Sequence, residues 1–279
     1  MDQAHRPTAR RIAPVGRWPG IDLQELWAYR GLFFFLVWRD VKARYSQTVF
    51  GAGWAIIQPL LSMVVFSIVF GRLARLPSEG VPYSVFSLAA LVPWAYFSSA
   101  LSGSSGSLVL NRVLVKKVYF PRLIIPSAPV LAALVDFCIA FVVLLLVMLG
   151  FGITPRPAAL IAVPVGVVIV AMTAMGVGAW LAALNIQYRD VTHLTPFLIQ
   201  IWMYASPIVY SVSLLPERVR PFYALNPMAG VVMAFRSTLL GTAALPWSAL
   251  LTSAASAAVL LVAGTLFFRH TERVFADVA

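Results

Sequence analysis

The sequence predicts an all-α membrane protein with six transmembrane helices. A cytoplasmic amphipathic interface helix precedes them, and an outer re-entrant helical hairpin stands before the last span. Three observations carry this prediction. First, of 279 residues 61% are hydrophobic and only 11% charged, against roughly 25% charged in a typical soluble domain. So few polar residues do not cover the surface of a water-soluble globule. Second, the apolar residues gather into six long runs separated by charged linkers. Third, threading these runs alternately puts fifteen of the 21 Lys and Arg on one side, leaving Arg72, Arg75, Arg156, Arg218, Arg220 and Arg236 on the other. The positive-inside rule then sets both termini in the cytoplasm.

Residues 1–20 are polar and basic, without the apolar core of a cleavable signal peptide. They read as a flexible cytoplasmic N-terminus. Pro19-Gly20 breaks the chain, and Asp22 and Glu25 then sit three apart, as in a capping box with Asp as the cap. Leu23, Leu26, Trp27, Arg30 and Phe34 follow helical spacing. The apolar run 32–38 is too short to cross, and Arg39, Lys42 and Arg44 follow it within six residues. Residues 21–45 therefore read as a helix in the cytoplasmic interface, aromatic on one side and basic on the other. A juxtamembrane anchor and a partner-binding helix both fit that description.

A bilayer core about 30 Å thick needs about 20 apolar residues in a helix. The six runs cover about 46–71, 84–110, 123–149, 158–184, 195–215 and 246–268, and residues 269–279 form a cytoplasmic tail. Only the third run holds an ionisable group, Asp136. A carboxylate at that depth is costly and a functional candidate by default, although one carboxylate makes no proton relay and a hydrogen-bonded structural role also fits. The region 216–245 crosses nothing. Asn226-Pro227 opens a helix, residues 228–240 are apolar apart from Arg236, and Gly241 ends it. Thirteen residues span only about 20 Å. A half-inserted hairpin that satisfies its own backbone and a helix lying flat outside are the two readings.

The remaining chemistry is mostly exclusion. Net charge is +11, but the charges sit between apolar spans. Anionic lipid headgroups and a cytoplasmic partner are better counter-charges than nucleic acid. Cys138 is alone, so no disulfide forms within the chain, and His5, His193 and His270 lack metal-ligand spacing. There is no G-x-x-x-x-G-K-[ST] phosphate loop, no pair of carboxylates and no Ser–His arrangement. No catalytic residue, metal site or cofactor is expected on this chain. What remains is aromatic and small. Trp54, Trp94, Tyr96, Phe97, Phe197, Trp202, Tyr204 and Tyr210 lie in or near spans, either as packing and belt residues or as the lining of a pathway. Gly51, Gly53, Gly103, Gly106, Gly176 and Gly178 allow close helix approach. Between the second and third spans, Arg112, Lys116, Lys117 and Arg122 interleave with Val118, Tyr119 and Phe120 in a short cytoplasmic break.

Nine strings in order resemble one family. They are RDVKARYSQTVFGAGWAIIQP (39–59), FGRLARLPSEGVPY (70–83), LVPWAYFSSAL (91–101), KVYFPRLIIP (117–126), LVDF (134–137), LNIQYRDVTH (184–193), SPIVY (206–210), ALNPMAG (224–230) and ERVFADV (272–278). Together they resemble the permease subunit of ABC-2 type exporters, in the branch that moves lipid-linked polysaccharides such as O-antigen. The resemblance implies a homodimer in the bacterial inner membrane. It also implies two copies of a separate cytoplasmic nucleotide-binding subunit, which would use ATP and Mg and explain the missing phosphate loop. A lipid-linked glycan would pass through a channel at the dimer interface, which points to Trp54, Gln58, Phe197, Trp202 and Tyr204. Arg39, Lys42 and Arg44 would stand at the gate, either holding the carrier's pyrophosphate or anchoring to phospholipid. The segment with Arg112, Lys116, Lys117, Val118, Tyr119 and Phe120 would be the coupling helix. Exporters of teichoic-acid-like polymers or small molecules share the fold. An ion-driven secondary transporter or flippase is the rival class, but it normally carries several intramembrane charges.

Overall fold

The computed structural model describes residues 23–46, 53–188, 190–216 and 218–272. The expected N-terminal stretch 1–20, the cap residue Asp22, Gly51 and the tail from 273 lie outside them. Among the described residues every regular element is helical. The chain begins with α1 (Leu23–Ala28) and α2 (Arg30–Tyr45). It continues with α3 (Trp54–Phe66, running on as a π-helix Ser67–Leu73), α4 (Tyr83–Leu110), the short α5 (Arg112–Lys117), α6 (Ile124–Gly150) and α7 (Ala159–Gln187). It ends with α8 (Val191–Tyr204), the four-residue α9 (Arg220–Tyr223), α10 (Pro227–Leu239) and α11 (Trp247–Thr271).

Five helices are long and apolar enough to cross a membrane: α3 with its π extension, α4, α6, α7 and α11. They lie over the apolar runs expected as the first, second, third, fourth and sixth spans, the first being described from Trp54 on. The fifth, expected over 195–215, is helical only to Tyr204. Its 14 residues measure about 21 Å, short of the roughly 30 Å core. The physical reason follows directly in the chain. Pro207 has no N–H to give a helix, and Arg236 takes the carbonyls of Pro207, Ile208 and Tyr210 that a continuing helix would use.

The core forms around α4, which packs against α3, α6, α7, α8 and α10. Small residues let it do so. A Cβ on Gly103 would meet Pro129 of α6, and one on Gly178 of α7 would meet Ser104. Two of its buried serines turn back on their own helix, Ser87 donating to Ser84 O at 3.0 Å and Ser107 to Ser104 O at 2.7 Å, which satisfies their hydroxyls inside an apolar span. Tyr96 meets Phe137, and Phe137 and Phe141 both meet Phe235 edge-on. Trp94, Tyr96 and Phe97 are thus core residues. Gly176 and Gly178, two positions apart, lie on opposite faces of α7. The first admits the backbone of α11, the second admits α4.

One end of the bundle carries α5, the start of α6 and the ends of α4, α7 and α11. There Arg122 Nη1 donates to Glu272 O at 2.7 Å. At the opposite end Arg156 donates to Ala243 O at 2.7 Å and Gly241 O at 2.5 Å, and Tyr83 Oη donates to Val209 O at 2.6 Å. Gly241 adopts φ +70°, the left-handed turn that a Cβ disfavours, and so stops α10 where the sequence placed its end. The helix α10 is almost wholly buried among α4, α7 and α11. Gly166 faces Phe235 and Gly230 faces Ser253. A helix sunk this deeply is not one laid flat on an outer surface.

Candidate transport pathway and coupling surface

Besides α2, the helices α3 and α8 leave most of their side chains uncovered. Along α3 nearly every side chain is at least partly exposed, Trp54 and Gln58 included, while Pro59 is buried. The helix α8 buries Val191 and Thr195 against its neighbours, where Thr195 meets Ser105 Oγ at 2.8 Å. Its other face is open, with Phe197 59% and Tyr204 58% exposed. These two are seven apart and share that face, with Gln200 and Ile201 between them. Trp202 faces the other way. Its ring meets Phe97 edge-on at 5.0 Å and its indole N–H donates to Asn226 Oδ1 at 2.9 Å. The structure therefore groups Phe197 with Tyr204, keeps Trp54 and Gln58 on the separate helix α3, and turns Trp202 into the bundle.

A third strip lies on α4, in the small-residue stretch 98–107 expected to serve close helix approach. On α4, Phe97 and Ser105 face α8, whereas Ser99 faces α2. Between those contacts on the helix surface lie Ser98, Ser102 and Gly106, partly or fully exposed at four-residue spacing. The available signal was a small, polar i, i+4, i+8 pattern in an otherwise apolar span. The hydroxyls of Ser98 and Ser102 can both donate and accept hydrogen bonds.

Two arginines of α2, Arg39 and Arg44, turn toward the bundle. Phe34, Phe35 and Trp38 are exposed, whereas Leu36 is buried against Ile124 and Ala128 of α6. Arg39 donates to Asn111 Oδ1 at 2.8 Å and pairs with Asp40 at 2.8 Å. Arg44 donates to Ser99 Oγ at 2.9 Å and pairs with Asp136, which also accepts from Tyr45 Oη. Lys42 is exposed. The expected division into an aromatic and a basic side holds only in part, since Arg39 and Arg44 turn to the bundle while Arg30 and Lys42 stand exposed on the turns next to Phe34 and Trp38, and α2 runs along the side of α6 and not across its end. A helix beside lipid points aromatics outward and charge inward. Asp136, Arg44, Tyr45 and Ser99 form one cluster. Tyr45 and Ser99 could not be tied to it from sequence, because 91 residues separate Tyr45 from Asp136.

The basic break folds as α5 and a turn. Lys116, Lys117 and Val118 are exposed and Tyr119 is 79% exposed, with Leu110 and Val113 beside them. Arg112 is half-buried. Phe120 departs from the expected outward group. It is 4% exposed and packs with Leu108, Val115, Leu123, Ile125 and Phe268. It anchors the turn, and Val118 and Tyr119 are left as its outward apolar side chains.

With this geometry in place, comparison with known proteins identifies the lineage. The ABC-2 type transporter family profile matches residues 31–240, from α2 to the end of α10. The chain belongs to the ABC-2 type transporter family. It is 30% identical over 257 residues to the O-antigen export system permease protein RfbA of Myxococcus xanthus, covering 91% of this chain and 98% of that protein. It is 26% identical over 241 residues to an O-antigen export system permease protein RfbA of Klebsiella pneumoniae, covering 86% and 92%. It is 20% identical over 206 residues to the polysialic acid transport protein KpsM of Escherichia coli, covering 72% and 78%. As an ABC-2 type multi-pass membrane protein, this chain carries its family match across the open helices α3 and α8 and the exposed α5 segment alike.

Proposed function

We propose that this chain is the membrane subunit of an ATP-driven exporter that moves a lipid-linked, O-antigen-like polysaccharide from the cytoplasm across the inner membrane. The observation that carries the reading is the likeness to an O-antigen export permease over 91% of this chain and 98% of that relative. The basic end lies in the cytoplasm, because positive charge is retained there, and both termini with it. Two copies of the chain face each other through α3 and α8, whose apolar faces the bundle leaves uncovered. The glycan passes between them over Trp54, Gln58, Phe197, Tyr204 and the Ser98–Ser102 strip. Two copies of a cytoplasmic ATPase, using ATP and Mg, dock on Lys116, Lys117, Val118 and Tyr119. The segment from α9 to α10 enters from the outer side and returns.

Deletion of the gene with complementation tests this reading. Loss of the chain is expected to abolish surface polysaccharide and to leave the lipid-linked glycan on the cytoplasmic leaflet, and the intact gene restores export. Normal surface glycan in the deletion strain overturns the proposal. So does a purified chain that captures no ATPase from the strain that encodes both.

A further inference from the structure

We propose that α2 is a movable latch at the mouth of the pathway, engaged by Arg44 and Tyr45 on Asp136 and linked to the α5 segment through Arg39 and Asn111. The inference rests on reading the chain as an exporter subunit and assigns positioning roles that reading does not contain. Three observations carry it.

The first is how little apolar burial holds α2. Of its sixteen residues only Leu36 is fully buried, against Ile124 and Ala128. Segments with few buried contacts belong to the part of a protein that opens at low cost. Leu32, Phe33 and Val37 are only partly buried against the same cluster, and the other fastenings are polar, with discrete made and broken states.

The second is where the fastenings sit. Arg39 reaches Asn111 at 2.8 Å, and Asn111 is the single residue between α4 and α5. Movement of α5 therefore pulls on α2 directly. Arg44 and Tyr45 reach Asp136, twelve residues or about 18 Å into α6. Arg44 also reaches Ser99, eleven residues or about 17 Å from the Leu110 end of α4. Ser99 adjoins the Ser98–Ser102 strip, and Trp54 follows Tyr45 by nine residues. One end of α2 is thus tied to the ATPase-facing segment and the other to the wall of the pathway.

The third is the chemistry of the deeper tie. Among the described residues Asp136 is the one acidic side chain within the five long helices. A lone carboxylate at lipid depth needs a partner, and here it takes the cation of α2. The pair is 26% and 28% exposed, so it can part without unpacking the core. An anionic group entering the mouth competes with Asp136 for Arg44.

The test uses the full chain with its ATPase in native membranes, starting from a Cys138→Ala parent. Leu36→Cys with Ala128→Cys lets oxidation fasten α2 to α6 covalently, with the crosslink scored by mass spectrometry. Oxidation is expected to lower glycan export at least about tenfold while ATP hydrolysis continues, and reductant restores export. A static anchor would be indifferent to this crosslink, so a crosslinked chain exporting at the parent rate overturns the latch. A cysteine pair that never crosslinks overturns the packing on which it rests. Asp136→Arg is expected to cut export severely, and adding Arg44→Asp is expected to recover at least half of the loss. No recovery, with the swapped chain present in membranes at the parent level, also overturns it. A parent that moves no glycan defeats the exporter reading itself, and the latch falls with it.

Discussion

Arg236 lies face-on over Phe86, its guanidinium carbon 3.5 Å from the ring centroid, and donates to Phe86 O at 3.2 Å. The same group donates to Pro207 O at 2.6 Å, Ile208 O at 2.7 Å and Tyr210 O at 3.1 Å. One buried cation from α10 thus closes four carbonyls on α4 and on the turn after α8. Stacking on the ring adds a cation–π contact in a buried site.

Each buried carbonyl left bare costs roughly 1–3 kcal/mol. Arg236→Leu is therefore expected to lose about 3 kcal/mol or more, seen as a severalfold drop of chain in membranes and a lower unfolding midpoint in detergent. Arg236→Lys should fall between, since an ammonium cannot reproduce the planar fork. A leucine variant as stable as the parent would show that this cage holds nothing.

Where α7 crosses α11, backbone meets backbone. A Cβ on Gly264 would fall on the Gly176 carbonyl, and one on Gly176 on the Leu260 carbonyl. No side chain is there to move aside, so Gly264→Val and Gly176→Val must separate the helices. Overpacking costs about 1–3 kcal/mol, and these rigid obstacles put both near the upper end. Gly106 has nothing within 4 Å of its added Cβ. Gly106→Ala is expected to be neutral or to gain about 0.5–1 kcal/mol from helix propensity. Thermal unfolding of the three variants side by side checks the contrast, and equal midpoints would refute the packing account.

How much of this was legible depended on the range of each signal. The start of α10 at Asn226-Pro227 and its stop at Gly241 were readable, because capping and left-handed turns are local. Five long spans were readable from hydropathy, which sums over twenty residues. The end of α8 was not. Its apolar run continues to residue 215, and what stops the helix is Pro207 together with Arg236 from 29 residues further on. Nor was the fate of Phe120, since Val118, Tyr119 and Phe120 differ only in which way the turn aims them. The inward face of α2 was hidden for a third reason. Aromatic and basic residues are visible in the sequence, but which of them meet the bundle depends on partners such as Asp136, 92 residues from Arg44.

Asn226 joins three segments. It accepts from Met228 N at 3.0 Å as the N-cap of α10, accepts from the Trp202 indole at 2.9 Å, and donates to Ala205 O at 2.9 Å. Asn226→Ala loses a cap worth about 1 kcal/mol and strands the indole N–H, a further roughly 1–3 kcal/mol. Trp202→Phe removes the indole donor while leaving the cap intact. The expected order of thermal midpoints is parent, then Trp202→Phe, then Asn226→Ala. An Asn226→Ala midpoint at or above that of Trp202→Phe would contradict the shared role.

Tyr119 and Phe120 are adjacent and face opposite ways, 79% and 4% exposed, which gives the proposed ATPase docking surface its sharpest test. Phe120→Ala empties a site lined by Leu108, Leu123, Ile125 and Phe268 and is expected to cost about 3–5 kcal/mol, lowering the midpoint of the isolated chain. Tyr119→Ala removes a side chain with little burial and is expected to stay within about 0.5 kcal/mol of the parent. Its effect should instead appear in ATPase captured per chain and in export at matched membrane levels, with Val118→Asp acting the same way by placing a charge in an apolar contact. Stability and coupling should thus separate across one peptide bond. If Tyr119→Ala and Val118→Asp capture the ATPase and export normally, the partner docks elsewhere. If Tyr119→Ala lowers the midpoint as far as Phe120→Ala, the turn is packed the other way round.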